Sequence, residues 1–126
     1  IERAVDVIQQ IRALGCKIAV DDFGTGYSSL SYLKLIPSDL IKIDRSFIAG
    51  MLETDSDRNI VSSTISMVRS MGQEIVAEGI EQPEQLFQLA NMSCQYGQGY
   101  YISKPIEEQA LWEVLQTKVY MGRWQL

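Results

Sequence analysis

Two adjacent aspartates, Asp21 and Asp22, close a short apolar stretch and run into Phe23-Gly24-Thr25-Gly26-Tyr27-Ser28-Ser29. Farther along, Lys42 stands between Ile41 and Ile43, and Glu78 and Glu81 bracket Gly79-Ile80. The 126 residues include no histidine, which removes the commonest general base and the Ser-His and Cys-His nucleophile pairs. Catalysis by this chain must therefore rest on carboxylates, lysine, amides or a metal held by oxygen ligands. Clustered carboxylates suit a hard divalent cation, which prefers oxygen donors and retains water.

Each of these residues also has a plainer reading. Neighbours on a strand point to opposite faces, so at least one of Asp21 and Asp22 must use the start of the loop to reach a common rim. The alternative is a cap on the next turn. Gly24 and Gly26 permit backbone angles that other residues resist, and the hydroxyls after them suit a helix cap or a phosphate; alone, the segment reads as a structural turn. Lys42 lies on the face opposite Ile41 and Ile43, so it points inward and needs acidic or phosphate partners, either as an active-site cation or in a structural ion pair. Glu78 closes another apolar stretch, where a carboxylate can ligate metal or take a proton from water. Glu81 either joins it or sits in the first turn of the next helix, where the helix dipole favours an acid. Gln98, at the start of a fourth strand, offers an amide near the mouth or a structural hydrogen bond. Arg45, Arg58 and Arg69 read as solvated charges, and Trp112 and Trp124 as packing residues.

The elements that position these groups follow from periodicity. Ala4, Val5, Ile8, Ile11 and Leu14 recur at helical spacing up to Gly15. Lys17–Val20 reads as a buried strand, Ser29–Leu35 as a brief helix before Pro37, and Leu40–Asp44 as a second strand. Ile60, Val61, Ile65, Val68 and Met71 mark an amphipathic helix closed by Gly72. Glu74–Glu78 is a third strand, a helix begins near Pro83, Gly99–Ile102 is a fourth strand, and Ala110–Leu115 is a last helix. Strand-helix alternation with near-continuous apolar strands predicts a parallel sheet covered by helices, either open and doubly wound or an arc of a (β/α) barrel. Both place active sites at the C-terminal ends of strands, where the acids gather. Four strands cannot close a filled barrel, and the first residue already lies in a phased helix, so an N-terminal half is expected to be missing.

Composition sets the remaining bounds. With 46% hydrophobic and 21% charged residues, the chain has a globular composition and material for one core. The net charge of −5 argues against a surface for nucleic-acid backbone, so no DNA partner is expected, although one local cation or a metal can still hold a small anion. No stretch is apolar enough to span a bilayer and the first residues lack a signal-peptide pattern, making a cytoplasmic setting the default. Cys16 and Cys94, without CxxC spacing, read as reduced thiols in apolar surroundings.

In order and at family-like spacing, Asp21-Asp22-Phe23-Gly24-Thr25-Gly26, Ile41-Lys42-Ile43-Asp44, Ala77-Glu78-Gly79-Ile80-Glu81, and Gln98-Gly99-Tyr100 with Ser103-Lys104-Pro105 resemble the EAL phosphodiesterase family. The resemblance covers nearly the whole chain. It implies the C-terminal half of a (β/α)8 barrel that hydrolyses cyclic di-GMP to linear pGpG with Mg2+ or Mn2+. It further implies that Asp21 bridges metals and Asp22 is a further ligand, that Lys42 is the active-site lysine, that Glu78 is a ligand or general base, and that Gln98 and Glu81 contact substrate. Phe23 to Ser29, including Gly24, Thr25, Gly26 and Ser28, is similar to the loop linking the metal site to a dimer interface. The name-giving Glu-Ala-Leu motif and further metal ligands of the family are absent, which implies weak metal binding and an inactive isolated chain that pairs as a homodimer or with another half-barrel. The alternative is an inactive cyclic-di-GMP sensor or a protein-interaction module.

Overall fold

The computed structural model describes residues 2–24 and 30–116. Among them α1 (Glu2–Ala13), β1 (Ala19–Phe23), α2 (Leu30–Leu35), β2 (Leu40–Ile43), α3 (Arg45–Gly50), α4 (Asp55–Ser70), β3 (Glu74–Glu78), α5 (Pro83–Asn91), β4 (Tyr96–Gln98) and α6 (Glu108–Gln116) follow in order. The strands form one parallel four-stranded sheet in the order β1-β2-β3-β4. A doubly wound sheet reverses its strand order at a switch point. Here the order advances without reversal, as in an arc of a (β/α) barrel, which resolves the choice that periodicity left open.

The two faces of the sheet differ as the alternation of side chains requires. Ile41, Ile43, Ile75 and Ala77 point under the helices and are at most 2% exposed. They pack with Ile48 of α3, Val61, Ile65 and Val68 of α4 and Leu89 of α5 in one apolar core. The intervening residues Lys42, Val76 and Glu78 occupy the other, open face. The expected amphipathic helix is α4, which begins earlier than its apolar stripe because Thr54 caps it, accepting from Asp57 N at 3.1 Å.

Several elements depart from the sequence expectation. The first strand, expected as a buried run over Lys17–Val20, is Ala19–Phe23 and is buried only at Phe23. Helix α3 was not foreseen; it is only six residues long and starts where the Asp44 carboxylate accepts hydrogen bonds from the Ser46 N–H and hydroxyl. The fourth strand ends at Gln98 instead of beginning at Gly99, because the chain turns over the β3–α5 loop: Ile80 N donates to Gln98 O and Tyr101 N to Ile80 O, each at 3.0 Å. Gly99 lies so near Ile80 that a Cβ would meet its carbonyl oxygen at 2.1 Å and its nitrogen at 2.2 Å. Helix α1, by contrast, forms as expected but buries no residue, leaving Val7, Ile11 and Leu14 exposed. Helix α6 likewise buries none, and Trp112 is 57% exposed rather than packed; Trp124 lies outside the described residues. Cys94 is buried, where desolvation pushes its thiol up to about 11, whereas Cys16 is exposed, contrary to expectation.

Two stability outcomes follow. Gly99→Ala forces backbone apart and should lower unfolding free energy by about 1–3 kcal/mol, read from the urea midpoint. Asp44→Ala should cost about 1 kcal/mol through loss of the cap. Hydrogen bonds from the Ser46 hydroxyl and N–H hold the Asp44 carboxyl below its ordinary 3.8. The cap's contribution is therefore full above that value and lost as pH falls through the lowered one, so native and Asp44→Ala proteins should converge in stability only in acid.

Candidate active site

The key local event is a bulge in β1. Val20 pairs with Ile41 and Phe23 with Ile43, so Asp21 and Asp22 together stand opposite Lys42. Asp22 takes φ of 51°, a conformation that short polar side chains tolerate better than most. Without the extra residue, strict alternation would send Asp22 to the helix-covered face beside Ile43. With it, Phe23 takes that buried place and both carboxylates remain on the open face. The sequence reading assigned the escape from alternation to the loop; it occurs inside the strand.

Register brings the other groups to the same place. Lys42 pairs with Val76, and Glu78 lies two residues farther on the same face. Glu78 in turn pairs with Gln98 across β3 and β4. Gln98 is therefore at the C-terminal end of its strand, on the rim, rather than at the start of a strand. The Lys42 ammonium donates to Glu78 Oε1 at 2.5 Å and to Asp21 Oδ1 at 3.1 Å. Its side chain is 22% exposed and that of Glu78 15%, while Asp21 at 60% opens to solvent. Carboxylate oxygens of Asp21, Asp22 and Glu78 all lie within 4.8 Å of one another. Three converging hard oxygen donors, two of them on one ammonium, are a donor set that fits a hard divalent cation.

The charges tune each other. Hydrogen bonds from Lys42 and from the Asp22 N–H, the latter at 2.9 Å, hold the Asp21 carboxyl below its ordinary range. The hydrogen bond to Glu78, against some desolvation, raises Lys42 above its ordinary 10.5. The ion pair is thus complete between the two: Asp21's contribution fades as pH falls through its lowered value, and that of Lys42 fades as pH rises through its raised one.

An open cavity of about 850 Å³ adjoins this cluster, lined by Asp21, Asp22, Glu78, Glu81 and Gln98 together with groups to which the sequence assigns no individual role. Asp44 and Arg45 line it from the start of α3, and Tyr100, Ser103 and Lys104 from the chain after β4, with Lys104 Nζ 5.5 Å from the Tyr100 ring centre. Arg45 was read as a solvated charge; its place just past the end of β2 was the available signal. Arg58 instead pairs with Asp55 on α4. Glu81 precedes the N-cap Gln82, so it is a loop residue rather than one of the first helical turn. Phe23 is buried and Gly24 abuts Phe47, whereas Thr25, Gly26 and Ser28 lie outside the described residues.

A barrel arc carrying a carboxylate–lysine cluster on its C-terminal rim is the class that fold and site define. The family model for the EAL domain matches residues 1–105, and the chain belongs to that family. It is 40% identical over 117 residues to the cyclic di-GMP phosphodiesterase NbdA of Pseudomonas aeruginosa, covering 93% of this chain and 15% of NbdA. Among solved structures, the EAL domain of Mycobacterium smegmatis DcpA superposes with a TM-score of 0.87 at 37% identity, over 92% of this chain and 52% of that one. Klebsiella pneumoniae BlrP1, in complex with manganese and cyclic di-GMP, matches with a TM-score of 0.68 at 34% identity, over 75% of this chain and 24% of that one. The chain therefore spans a small fraction of NbdA and about half of the DcpA domain. Among the described residues no helix is long and apolar enough to cross a membrane.

Replacing Lys42 by Met should raise the Asp21 pKa, followed by carbon-detected NMR titration of the carboxyl. An unchanged value would contradict the assigned cause.

Proposed function

We propose that this chain supplies the C-terminal half of a cyclic-di-GMP phosphodiesterase domain, hydrolysing one phosphodiester bond to yield linear pGpG. The observation that carries the reading is the convergence of the Asp21, Asp22 and Glu78 carboxylates, with Lys42 bonded to Asp21 and Glu78. In this reading Asp21, Asp22 and Glu78 hold divalent cations, Mg2+ or Mn2+. Such ions, when bound, supply Lewis acidity to the phosphodiester and to water.

The chain's own groups do the rest. Glu78 Oε1, already within 2.5 Å of the Lys42 ammonium, is the acceptor for a proton from the attacking water. Lys42 fixes the rotamers of Glu78 and Asp21 and offsets their mutual repulsion, leaving its remaining donor for a phosphate oxygen. Gln98, adjacent in register, and Glu81 at the loop contact the nucleotide. Phe23 and Gly24, beside the acids, begin the segment through which this reading connects the site to a dimer contact.

The same reading requires a second half. The two edge strands of the described sheet and the exposed apolar residues of α1 and α6 are surfaces that a second half-barrel covers, from the same polypeptide or a second copy. This chain alone is then inactive and associates.

The test is hydrolysis of cyclic di-GMP with Mn2+ or Mg2+ by the complete domain, beside this chain alone and Glu78→Ala in the complete domain. The expected result is turnover by the native domain alone, with at least about a hundredfold loss in the variant. Binding of the nucleotide without turnover would instead identify a sensor. Asp21→Asn should weaken Mn2+ binding by at least about tenfold in calorimetry, since a charged ligand is lost; unaltered affinity would remove Asp21 from the metal site.

A further inference from the structure

Gln85 is buried to 3% exposure at the third position of α5, where a capping side chain is usually in water. Its Oε1 accepts from the backbone N–H of Glu81 at 2.8 Å and of Gln82 at 3.0 Å. Its Nε2 donates to Ile48 O in α3 at 3.0 Å. That carbonyl lies in the last turn of α3, where helical carbonyls lack intrahelical donors.

The chemistry of the amide is what this place demands. A cap needs only an acceptor, and near a helix N-terminus glutamate would serve at least as well. Only a side chain with an acceptor and a donor on one planar group can hold two loop N–H groups and a helix carbonyl at once. The two elements joined are those that bring Asp44 and Arg45, and Glu78 and Glu81, to the same cavity.

The loop between them has little slack elsewhere. A Cβ on Gly79, which sits at φ of +73°, would come within 2.4 Å of Arg45 Cβ, and Ile80 is pressed by Gly99. Those contacts fix Gly79 and Ile80. The Glu81 backbone itself is held by the hydrogen bond that its N–H donates to Gln85.

We propose that Gln85 is a positioning residue for the phosphodiesterase site, acting through Glu81 by locking the β3–α5 loop to α3. The inference rests on the hydrolase reading above and adds to it a buried residue that touches no substrate. Leucine or methionine at this position would fill the space while releasing both loop N–H groups and the Ile48 carbonyl.

A double-mutant cycle in the complete domain tests it, using Gln85→Met, Glu81→Ala and the double variant, with Mn2+ and cyclic di-GMP. Read out are kcat/KM, nucleotide affinity by calorimetry and thermal stability. Gln85→Met should lower kcat/KM by about 10- to 100-fold in the native background and by less than threefold once Glu81 is alanine, while its loss of stability is the same in both. Gln85→Glu adds a second readout: the ionised carboxylate repels the Ile48 carbonyl, so its activity relative to native should rise as pH falls and the acid form restores a donor.

Equal activity losses in both backgrounds would overturn the positioning role and leave Gln85 structural, with the hydrolase reading intact. If Gln85→Met is too unstable to assay, the Gln85→Glu profile decides, and a ratio to native independent of pH overturns the proposal. A native domain that neither binds nor hydrolyses the nucleotide overturns the hydrolase reading and, with it, this role for Gln85.

Discussion

The site depends on one departure from regular pairing. A parallel ladder sends alternate side chains to opposite faces, so two consecutive carboxylates cannot share a face unless the ladder is interrupted. The bulge at Asp21-Asp22 is that interruption. It leaves Phe23 in the core and puts two acids opposite a single lysine, at the end of the strand where a barrel collects its chemistry. Strain at Asp22, with its positive φ, is tolerated where pairing on β2 resumes one residue later.

Once both aspartates face the same way, electrostatics requires a partner. Two or three carboxylates within a few ångströms repel one another strongly in a half-dry cleft. Lys42 answers that repulsion from β2, and its stem reaches the open face because Ile41 and Ile43 occupy the other. The apolar layer and the charged layer are thus one pattern read on its two sides. A divalent cation would strengthen the same arrangement, since it adds positive charge where the acids already converge. Around this core the rim is held by close backbone approaches at Gly79 and Gly99 and by the buried amide of Gln85.

Much of this was legible in the residue order. The inward direction of Lys42 followed from its isoleucine neighbours, and the clustering of Asp21, Asp22 and Glu78 at strand ends from the apolar runs before them. The bulge was not legible, because a pair of aspartates carries no information about the register of the partner strand. Helix α3 escaped notice since six residues are too short for a periodic signal, although Asp44 and Ser46 marked its start. The end of β4 was displaced because Gly99-Tyr100-Tyr101-Ile102 has strand-like composition, whereas its geometry is dictated by Ile80 from a neighbouring loop. Nothing in the sequence distinguishes Gln85 from a surface glutamine of a helix, and the distant Ile48 carbonyl gives it another meaning. The choice between an open sheet and a barrel arc lay in strand order, which local sequence does not encode.

The most direct test of the central claim is the position of the metal. Crystals of the complete domain grown with Mn2+ and measured at the manganese absorption edge should show anomalous peaks bounded by the carboxylates of Asp21, Asp22 and Glu78. Peaks elsewhere, with none of those three carboxylates bound to the metal, would contradict the account.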